Sequence, residues 1–261
     1  MLKSRILSGF IGAIILFIVV LSGALPLRIA VALTSMLMLV ELFRAVNLRN
    51  ILIFPSLLLV VFLSADILSS TMRETVIYLY LLIIFLILLL KHKSLHISDA
   101  SLACLMTLYI GSFMGCITKI RITPAGAYWI WLIFIGAWVS DVFAYFTGKF
   151  FGKRKLIPSV SPKKTVAGAI GGALGAAFGF LIFGIFFGEK MGGIHVAGLF
   201  AAGIVIAFAG QLGDLVASVI KRQYGIKDYG KIMPGHGGAM DRFDSILFVA
   251  PVLFLYMQLV L

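Results

Sequence analysis

The sequence predicts an all-α polytopic membrane protein. Of its 261 residues, 62% are hydrophobic and only 12% are charged, whereas a soluble domain has about 25% charged residues. So few charged side chains cannot cover the surface of a water-soluble domain. The apolar residues also fall into runs of about 20, the length of a helix that crosses a bilayer. We therefore expect a single integral membrane domain over residues 1–261.

Nine apolar runs are long enough, or nearly so, to span a bilayer, and short polar breaks separate them. They are centred on residues 6–25, 29–47, 51–70, 75–90, 99–118, 125–147, 166–188, 194–219 and 245–261. The first run also has the form of a signal peptide, because Lys3 and Arg5 precede it and small residues follow. Eight further runs come after it, and we therefore interpret it as an uncleaved helix.

The cations predict how these helices are oriented. Placing the N-terminus in the cytoplasm assigns most of the 22 lysines and arginines to cytoplasmic segments, in agreement with the positive-inside rule. Two cytoplasmic loops, residues 148–165 and 220–244, then hold the largest basic clusters. We therefore predict a polar site on the cytoplasmic side of the catalytic helices in residues 101–261. Residues 1–100 are interpreted as packing and lipid-facing helices.

Residues 218–244 combine acids, bases and glycines between two apolar runs. The stretch holds Asp228, Asp241 and Asp244, and Asp214 lies just before it. Carboxylates bind hard cations such as Mg²⁺, Lys and Arg neutralise phosphates, and glycines let backbone N–H groups approach a phosphate. This combination is typical of phosphoryl or nucleotidyl transfer. A basic loop that only sets topology is the alternative, but it leaves the acids and the glycines unexplained.

The same stretch resembles the signature of the phosphatidate cytidylyltransferase (CDP-diacylglycerol synthase) family. The matching positions are Ser218, Lys221, Arg222, Lys227, Asp228, Pro234, Gly235, His236, Gly237, Gly238, Asp241, Arg242 and Asp244. Ala239 departs from the larger aliphatic residue that the family usually has. The resemblance implies an integral membrane nucleotidyltransferase of phospholipid biosynthesis, which converts CTP and phosphatidate to CDP-diacylglycerol and diphosphate.

Two further segments resemble the same family. Asp141 lies in WVSDVFAYFTGK, near the cytoplasmic end of the sixth predicted helix, where a carboxylate should face the protein or a water-filled cavity rather than lipid. Residues 161–165 read SPKKT and lead into the seventh predicted helix. Ser161 or Thr165 is placed to cap that helix, whose N-terminus favours a phosphate. Ala167 stands where the family commonly has an acid. A helix-end acid and a topogenic loop are the alternatives.

Asp214, Ser218 and Lys221 share one face of the eighth predicted helix, because they are four and three residues apart. We predict Asp214 and Asp241 as ligands of Mg²⁺, with Asp244 and Asp141 as second choices and a second cation as an option. The residues predicted to be catalytic are Asp241, Asp214, Lys221, Arg222, Lys227 and Asp228. Those predicted to bind substrate phosphates are Ser161, Lys163, Lys164, Thr165, His236, Gly237, Gly238 and Arg242. His236 need not act as a base, since the phosphate of phosphatidate is already largely ionised near pH 7.

Three other features have plain structural interpretations. The glycines between Gly168 and Gly179 recur four residues apart, and within an apolar run this spacing favours close helix packing over a nucleotide-binding loop. Cys104 and Cys116 are interpreted as small core residues, because a disulfide framework or a zinc site needs more ligands. Asp66 has no identifiable partner in the sequence and is interpreted as a helix-end residue near the outer face.

The expected partners are CTP, phosphatidate and membrane lipids, and we expect a homodimer in the inner (plasma) membrane of a bacterium. The net charge of +12 does not indicate nucleic acid, because the cations occupy short breaks between apolar runs; a basic side facing anionic lipid is favoured. Two alternatives stay open. Another CTP-dependent membrane enzyme, such as a polyprenol kinase or a CDP-archaeol synthase, differs in its acceptor. A transporter or cation channel would line its pathway with Asp141 and Asp214.

Overall fold

The computed structural model describes residues 2–230 and 237–261, with side chains from Gly9 onwards, and most of these residues are helical. The chain divides into two compact units. The first comprises residues 1–118 and 226–242, and the second comprises residues 119–225 and 243–261. The division predicted at residue 100 concerns function rather than contacts, and it stays a prediction.

The first unit is built from the N-terminal helices. They are α1 (Leu2–Leu21), α2 (Ala24–Ala45), α3 (Ile53–Ala65), α4 (Ser70–Leu90) and most of α5 (Ile97–Ile122). Helix α2 buries Leu27, Val31, Met38 and Leu42, whose spacing places them along one stripe of a helix. These side chains contribute to the apolar core of the unit. The rest of the helix surface is apolar as well.

Helices α3 and α5 approach each other closely. A side chain at Gly115 would collide with the backbone of Leu63, so only glycine allows this approach. Thr118 Oγ1 donates a hydrogen bond of 2.8 Å to the Ser64 carbonyl next to this contact. Small residues and interhelical hydrogen bonds are typical of helix pairs in membranes.

Helix α3 is shorter than the apolar run predicted over residues 51–70. It ends at Ala65, and Asp66 takes the left-handed conformation with φ of 50°. Arg73, in the first turn of α4, donates to Asp66 Oδ1 at 2.5 Å. Asp66 is therefore a helix-end residue, as predicted, and the structure supplies the partner that the sequence analysis did not find.

The second unit is built from the C-terminal helices. They are α6 (Gly126–Phe134), α7 (Ser140–Phe151), α8 (Val166–Phe187), α9 (Val196–Gln223) and α10 (Met240–Val260), whose first residues belong to the first unit. A π-helical stretch, Ile135–Val139, joins α6 to α7, so that Gly126–Phe151 is one continuous helical segment. A 3₁₀ turn at Glu189–Met191 lies between α8 and α9.

The glycines of α8 form a surface for helix packing, as predicted. A side chain at Gly171 would collide with Thr147 of α7, and one at Gly175 would collide with Phe143. On the neighbouring side, Ala173 and Ala176 of α8 are buried against α9. Small residues therefore let α8 pack closely against both of its neighbours, and the alternative of a nucleotide-binding loop is wrong for this segment.

The loop predicted over residues 148–165 contains a β-hairpin, which corrects the expectation of an all-α chain. Strand β1 (Lys155–Ile157) pairs antiparallel with β2 (Ser161–Thr165), and Lys155 lies opposite Thr165. Pro162 lies in β2, and prolines occur in strands of this kind because both strands of a two-stranded sheet are edge strands. The hairpin gives the lysines of this loop a fixed position at the start of α8.

Seven helical segments within residues 2–230 and 237–261 are long and apolar enough to cross a membrane. They are α2, α4, α5, the segment Gly126–Phe151, α8, α9 and α10. Two shorter apolar helices are Gly9–Leu21 and Asn50–Ala65. The chain is therefore a polytopic, mostly helical protein by length and composition, while the count of nine spans and their orientation stay predictions.

Candidate active site

A cavity of about 450 Å³ lies in the second unit, between α7, the β-hairpin, and the facing parts of α8 and α9. Its charged lining consists of Asp141, Lys149, Lys155, Lys163 and Lys164. Four lysines around one aspartate favour an anion, because each ammonium group neutralises part of a bound negative charge. Asp141 therefore lines a cavity, as expected for a carboxylate that faces away from lipid.

Lys164 and Asp214 form an ion pair at the edge of this cavity. Lys164 Nζ lies 2.6 Å from Asp214 Oδ2, and both side chains are a little over a quarter exposed. Ser218 Oγ donates to the other carboxylate oxygen of Asp214 at 3.3 Å. The shared face of α9 predicted for Asp214 and Ser218 is thus confirmed, and Asp214 links that face to the hairpin.

Asp244 joins the same group of charges from α10. Its carboxylate interacts electrostatically with Asp214, Asp141 and Lys221. The backbone of α10 comes very close to α9 here, because a side chain at Gly213 would collide with the Asp244 carbonyl. Helices α7 and α9 therefore each bring a predicted aspartate within electrostatic range of Asp244 on α10, and Lys221 lies within that range as well.

The N-terminus of α8 faces the cavity. Thr165 is its N-cap: Thr165 Oγ1 accepts a hydrogen bond of 3.1 Å from Gly168 N, so the predicted capping role is confirmed for Thr165. Gly148 of α7 leaves no room for a side chain because Thr165 lies against it. The free N–H groups and the dipole of a helix N-terminus attract phosphate, and here they lie among the cavity lysines.

Arg222 supports this arrangement from its margin. Arg222 Nε donates a hydrogen bond of 3.3 Å to the Val160 carbonyl in the hairpin turn, which ties the end of α9 to the hairpin. Ser161 begins β2 and is half-buried. Arg222 therefore has a contact that positions the hairpin, in addition to the charge for which the sequence analysis selected it.

Asp241 lies in the first unit, in the first turn of α10. Its Oδ2 atom accepts hydrogen bonds from Tyr229 N at 2.8 Å and from Gly238 N at 3.0 Å. Gly237 has φ of 86°, a conformation that favours glycine. Asp241 therefore fixes the glycine turn that precedes α10. The side chains of Lys227, Asp228 and Arg242 are exposed. His236 lies outside the described residues.

Glu41 is a buried acid, hydrogen-bonded beside Asp241, that the sequence analysis missed. It lies in α2, is only 4% exposed, and accepts hydrogen bonds from the backbone of Ala239 and Met240 at the start of α10. A lone acid inside an apolar run was the available signal, because such a residue is expensive in a membrane unless it has polar partners. Its partners lie about 200 residues away in the sequence, and the sequence does not identify them.

The residues present fit a Mg²⁺ ion that is completed by substrate. Among the residues that the structure describes, no group of three or more His, Cys, Asp or Glu side chains is arranged to hold a metal ion. Mg²⁺, however, usually takes one or two carboxylates and completes its shell with water and substrate phosphates. Asp214 and Asp244, which lie within electrostatic range of each other, are a donor set of this kind.

The comparisons with known proteins all give cytidylyltransferases, and each match covers nearly the whole chain. A family model described as "Cytidylyltransferase family" matches residues 3–260. A phosphatidate cytidylyltransferase of Bacillus subtilis (strain 168) is 35% identical over 269 residues, which cover 99% of this chain and 98% of that protein. Phosphatidate cytidylyltransferases of Staphylococcus saprophyticus and Staphylococcus aureus (strain COL) are 32% and 34% identical, and each alignment covers 97% of both chains.

Proposed function

Because the chain belongs to the cytidylyltransferase family, we propose that it transfers the cytidylyl group of CTP to phosphatidate, giving CDP-diacylglycerol and diphosphate. The relatives with this name align over 97–99% of the chain, so the comparison covers the site as well as the helices. The structural observation that carries the proposal is the lysine-lined cavity with the Lys164–Asp214 pair at its edge. It offers cations to phosphates and carboxylates to a metal ion at one place.

The cavity and the N-terminus of α8 bind phosphate groups of the substrates in this proposal. Lys163 and Lys164 supply positive charge from the hairpin, and Thr165 keeps the first turn of α8 in place. Lys164 is held by Asp214 in the structure, and a phosphate oxygen competes with that carboxylate for the ammonium group. Lys221, Arg222, Lys227 and Arg242 are proposed as further contacts to the triphosphate, and Ser161 and His236 as contacts at the margin.

Asp214 and Asp244 are the residues that would hold Mg²⁺, and Asp141 and Asp241 are proposed to assist them. When bound, Mg²⁺ neutralises triphosphate oxygens and the charge that develops on the leaving diphosphate. A second cation in the same acidic group is part of the proposal. The chain itself contributes the position of the carboxylates, since Gly213 brings α9 against α10 at Asp244.

The acceptor in this reaction is a phosphate oxygen of phosphatidate. This oxygen attacks the α-phosphorus of CTP and forms a new P–O bond. The bond between the α-phosphorus and the oxygen that bridges to the β-phosphorus breaks, and its electron pair stays on that oxygen in the leaving diphosphate. The attacking group is already largely ionised at neutral pH, so no general base is needed. The side chains have to align the two phosphates and stabilise charge, which is the main contribution of proteins to phosphoryl transfer.

The proposed location is the inner (plasma) membrane of a bacterium, with the N-terminus and the cavity on the cytoplasmic side. The bacterial relatives and the membrane-length helices support this location. CTP then reaches the site from water, and the lipid reaches it between helices. A homodimer remains part of the proposal.

The function is tested with the purified full chain in detergent and radiolabelled CTP. We expect release of diphosphate, and formation of a labelled lipid, that depend on both phosphatidate and Mg²⁺. An isoprenoid alcohol replaces phosphatidate in a parallel reaction. Transfer to the isoprenoid alone would overturn the proposed acceptor, and ion flux without nucleotide in liposomes, with no labelled lipid, would favour a transporter.

A further inference from the structure

Glu41 is buried, but its contacts are polar. They differ from the contacts of a residue that only faces lipid or fills an apolar core. Its Oε1 atom accepts a hydrogen bond of 3.0 Å from Ala239 N, and its Oε2 atom accepts one of 2.9 Å from Met240 N. Both carboxylate oxygens are therefore bound to the first turn of α10. A buried carboxylate is costly unless it is hydrogen-bonded, and the N–H groups and dipole at a helix N-terminus meet that requirement.

Two glycines leave space for this carboxylate. A side chain at Gly230 or at Gly238 would collide with the Glu41 carboxylate. Glu41 therefore contacts the chain at two glycines, Gly230 and Gly238, that are eight residues apart in the sequence. Gly238 also donates its N–H to Asp241. Glu41 of α2 and Asp241 of α10 therefore both contact Gly238.

We propose that Glu41 is a positioning residue for the reaction: it holds Gly238 and the first turn of α10, and so keeps Asp241, a proposed residue of the site, in the position that nucleotide binding requires. The inference depends on the proposed function. Glu41 acts through its neighbours and does not touch the reacting atoms. The N-terminal helices, interpreted from the sequence as packing helices, contribute in this way to nucleotide binding.

The substitution Glu41→Gln tests this role, because glutamine keeps the volume but turns one acceptor into a donor that faces an N–H group. We expect kcat/KM for CTP to fall by about 10- to 100-fold, the size of effect that misplacement of a site produces, while the KM for phosphatidate is unchanged. Glu41→Asp should be defective as well, because its shorter side chain cannot reach both N–H groups.

Thr118→Val is the matched control, because it removes another buried interhelical hydrogen bond of the same unit, that from Thr118 to Ser64. It should lower the unfolding temperature and leave both KM values unchanged. If Glu41→Gln lowers the unfolding temperature but retains the kcat and the KM for CTP of the unsubstituted protein, Glu41 is merely structural and the inference is overturned.

Gly230→Ala approaches the same contact from the opposite side. Its added methyl group pushes on the Glu41 carboxylate, and we expect the same selective loss of kcat/KM for CTP. This variant decides the question if Glu41→Gln does not fold, since normal CTP kinetics in Gly230→Ala would then contradict the inference. Absence of phosphatidate-dependent turnover in the unsubstituted protein would instead count against the proposed function, so the two failures are distinguishable.

Discussion

Replacing Asp214 by asparagine separates the chemical role of this residue from its contribution to folding. The substitution keeps the shape of the side chain and removes its charge. The Lys164–Asp214 pair has side-chain exposures of 27% and 29%, and ion pairs as accessible as this one contribute at most about 1 kcal/mol. The hydrogen bond from Ser218 is long at 3.3 Å. We therefore expect the free energy of unfolding to fall by less than about 1 kcal/mol.

The expected loss of activity is much larger. Asp214 pairs with Lys164, interacts with Asp244 and is a proposed Mg²⁺ ligand. Loss of a residue that merely supports a metal ligand lowers activity by up to about 100-fold. Loss of a ligand itself should therefore lower turnover by at least about 100-fold. The assay is diphosphate release from CTP with saturating phosphatidate and Mg²⁺, together with a thermal unfolding curve of each protein.

Asp66→Asn is the control for this comparison, since it removes the charge of an aspartate paired with an arginine outside the site. The Asp66 side chain is only 9% exposed. Loss of its charge should therefore lower the free energy of unfolding by more, about 1.5–3 kcal/mol for a hydrogen bond to a charged group. Turnover should be unchanged. Normal turnover by Asp214→Asn would refute the assignment of Asp214 to the site.

Three further predictions concern the same region. Thr165→Val should lower the free energy of unfolding by about 1 kcal/mol, because α8 loses its cap, and Thr165→Ser should retain it; thermal unfolding measures both. Gly213→Ala should reduce turnover by about 10-fold or more, because the methyl group displaces α10 at Asp244, whereas Gly12→Ala, with no atom within 4 Å of the new methyl group, should leave turnover unchanged. Chelation with EDTA should stop turnover and added Mg²⁺ should restore it, and turnover that persists in EDTA would count against a metal ion in the site.

The sequence predicts the parts of the site that are local. The sequence predicts Thr165 or Ser161 as the cap of α8 because both hydroxyls lie just before the apolar run, and it predicts a shared face for Asp214 and Ser218 because four residues make about one helical turn. The spacing of small residues likewise predicts which surface of α8 packs against other helices. In each case the signal and its consequence lie within a few residues of each other.

The sequence predicts less where a residue's partners are distant along the chain, or where the same local pattern is typical of more than one structure. Glu41 is visible as an acid in an apolar run, but its hydrogen-bond partners are set by tertiary packing. Asp66 ends α3 through a left-handed conformation and a pair with Arg73, although the apolar run itself continues. The β-hairpin was missed because Pro162 and the adjacent lysines are typical of a loop, and the hydrogen bonds of one short strand pair were enough to order it.

The π-helical stretch Ile135–Val139 has a consequence for every residue that follows it in α7. Each residue of an α-helix turns the chain by about 100°, and a π-helical turn accommodates one residue more than an α-helical turn. If the same residues were wound as a regular α-helix with none removed, Asp141, Tyr145 and Lys149 would rotate by roughly that angle relative to the preceding helix, whereas deleting one residue from the stretch would leave their phase about as it is. The angular phase of the acid and the lysine that line the cavity is thus decided upstream, by a stretch that carries no charge of its own.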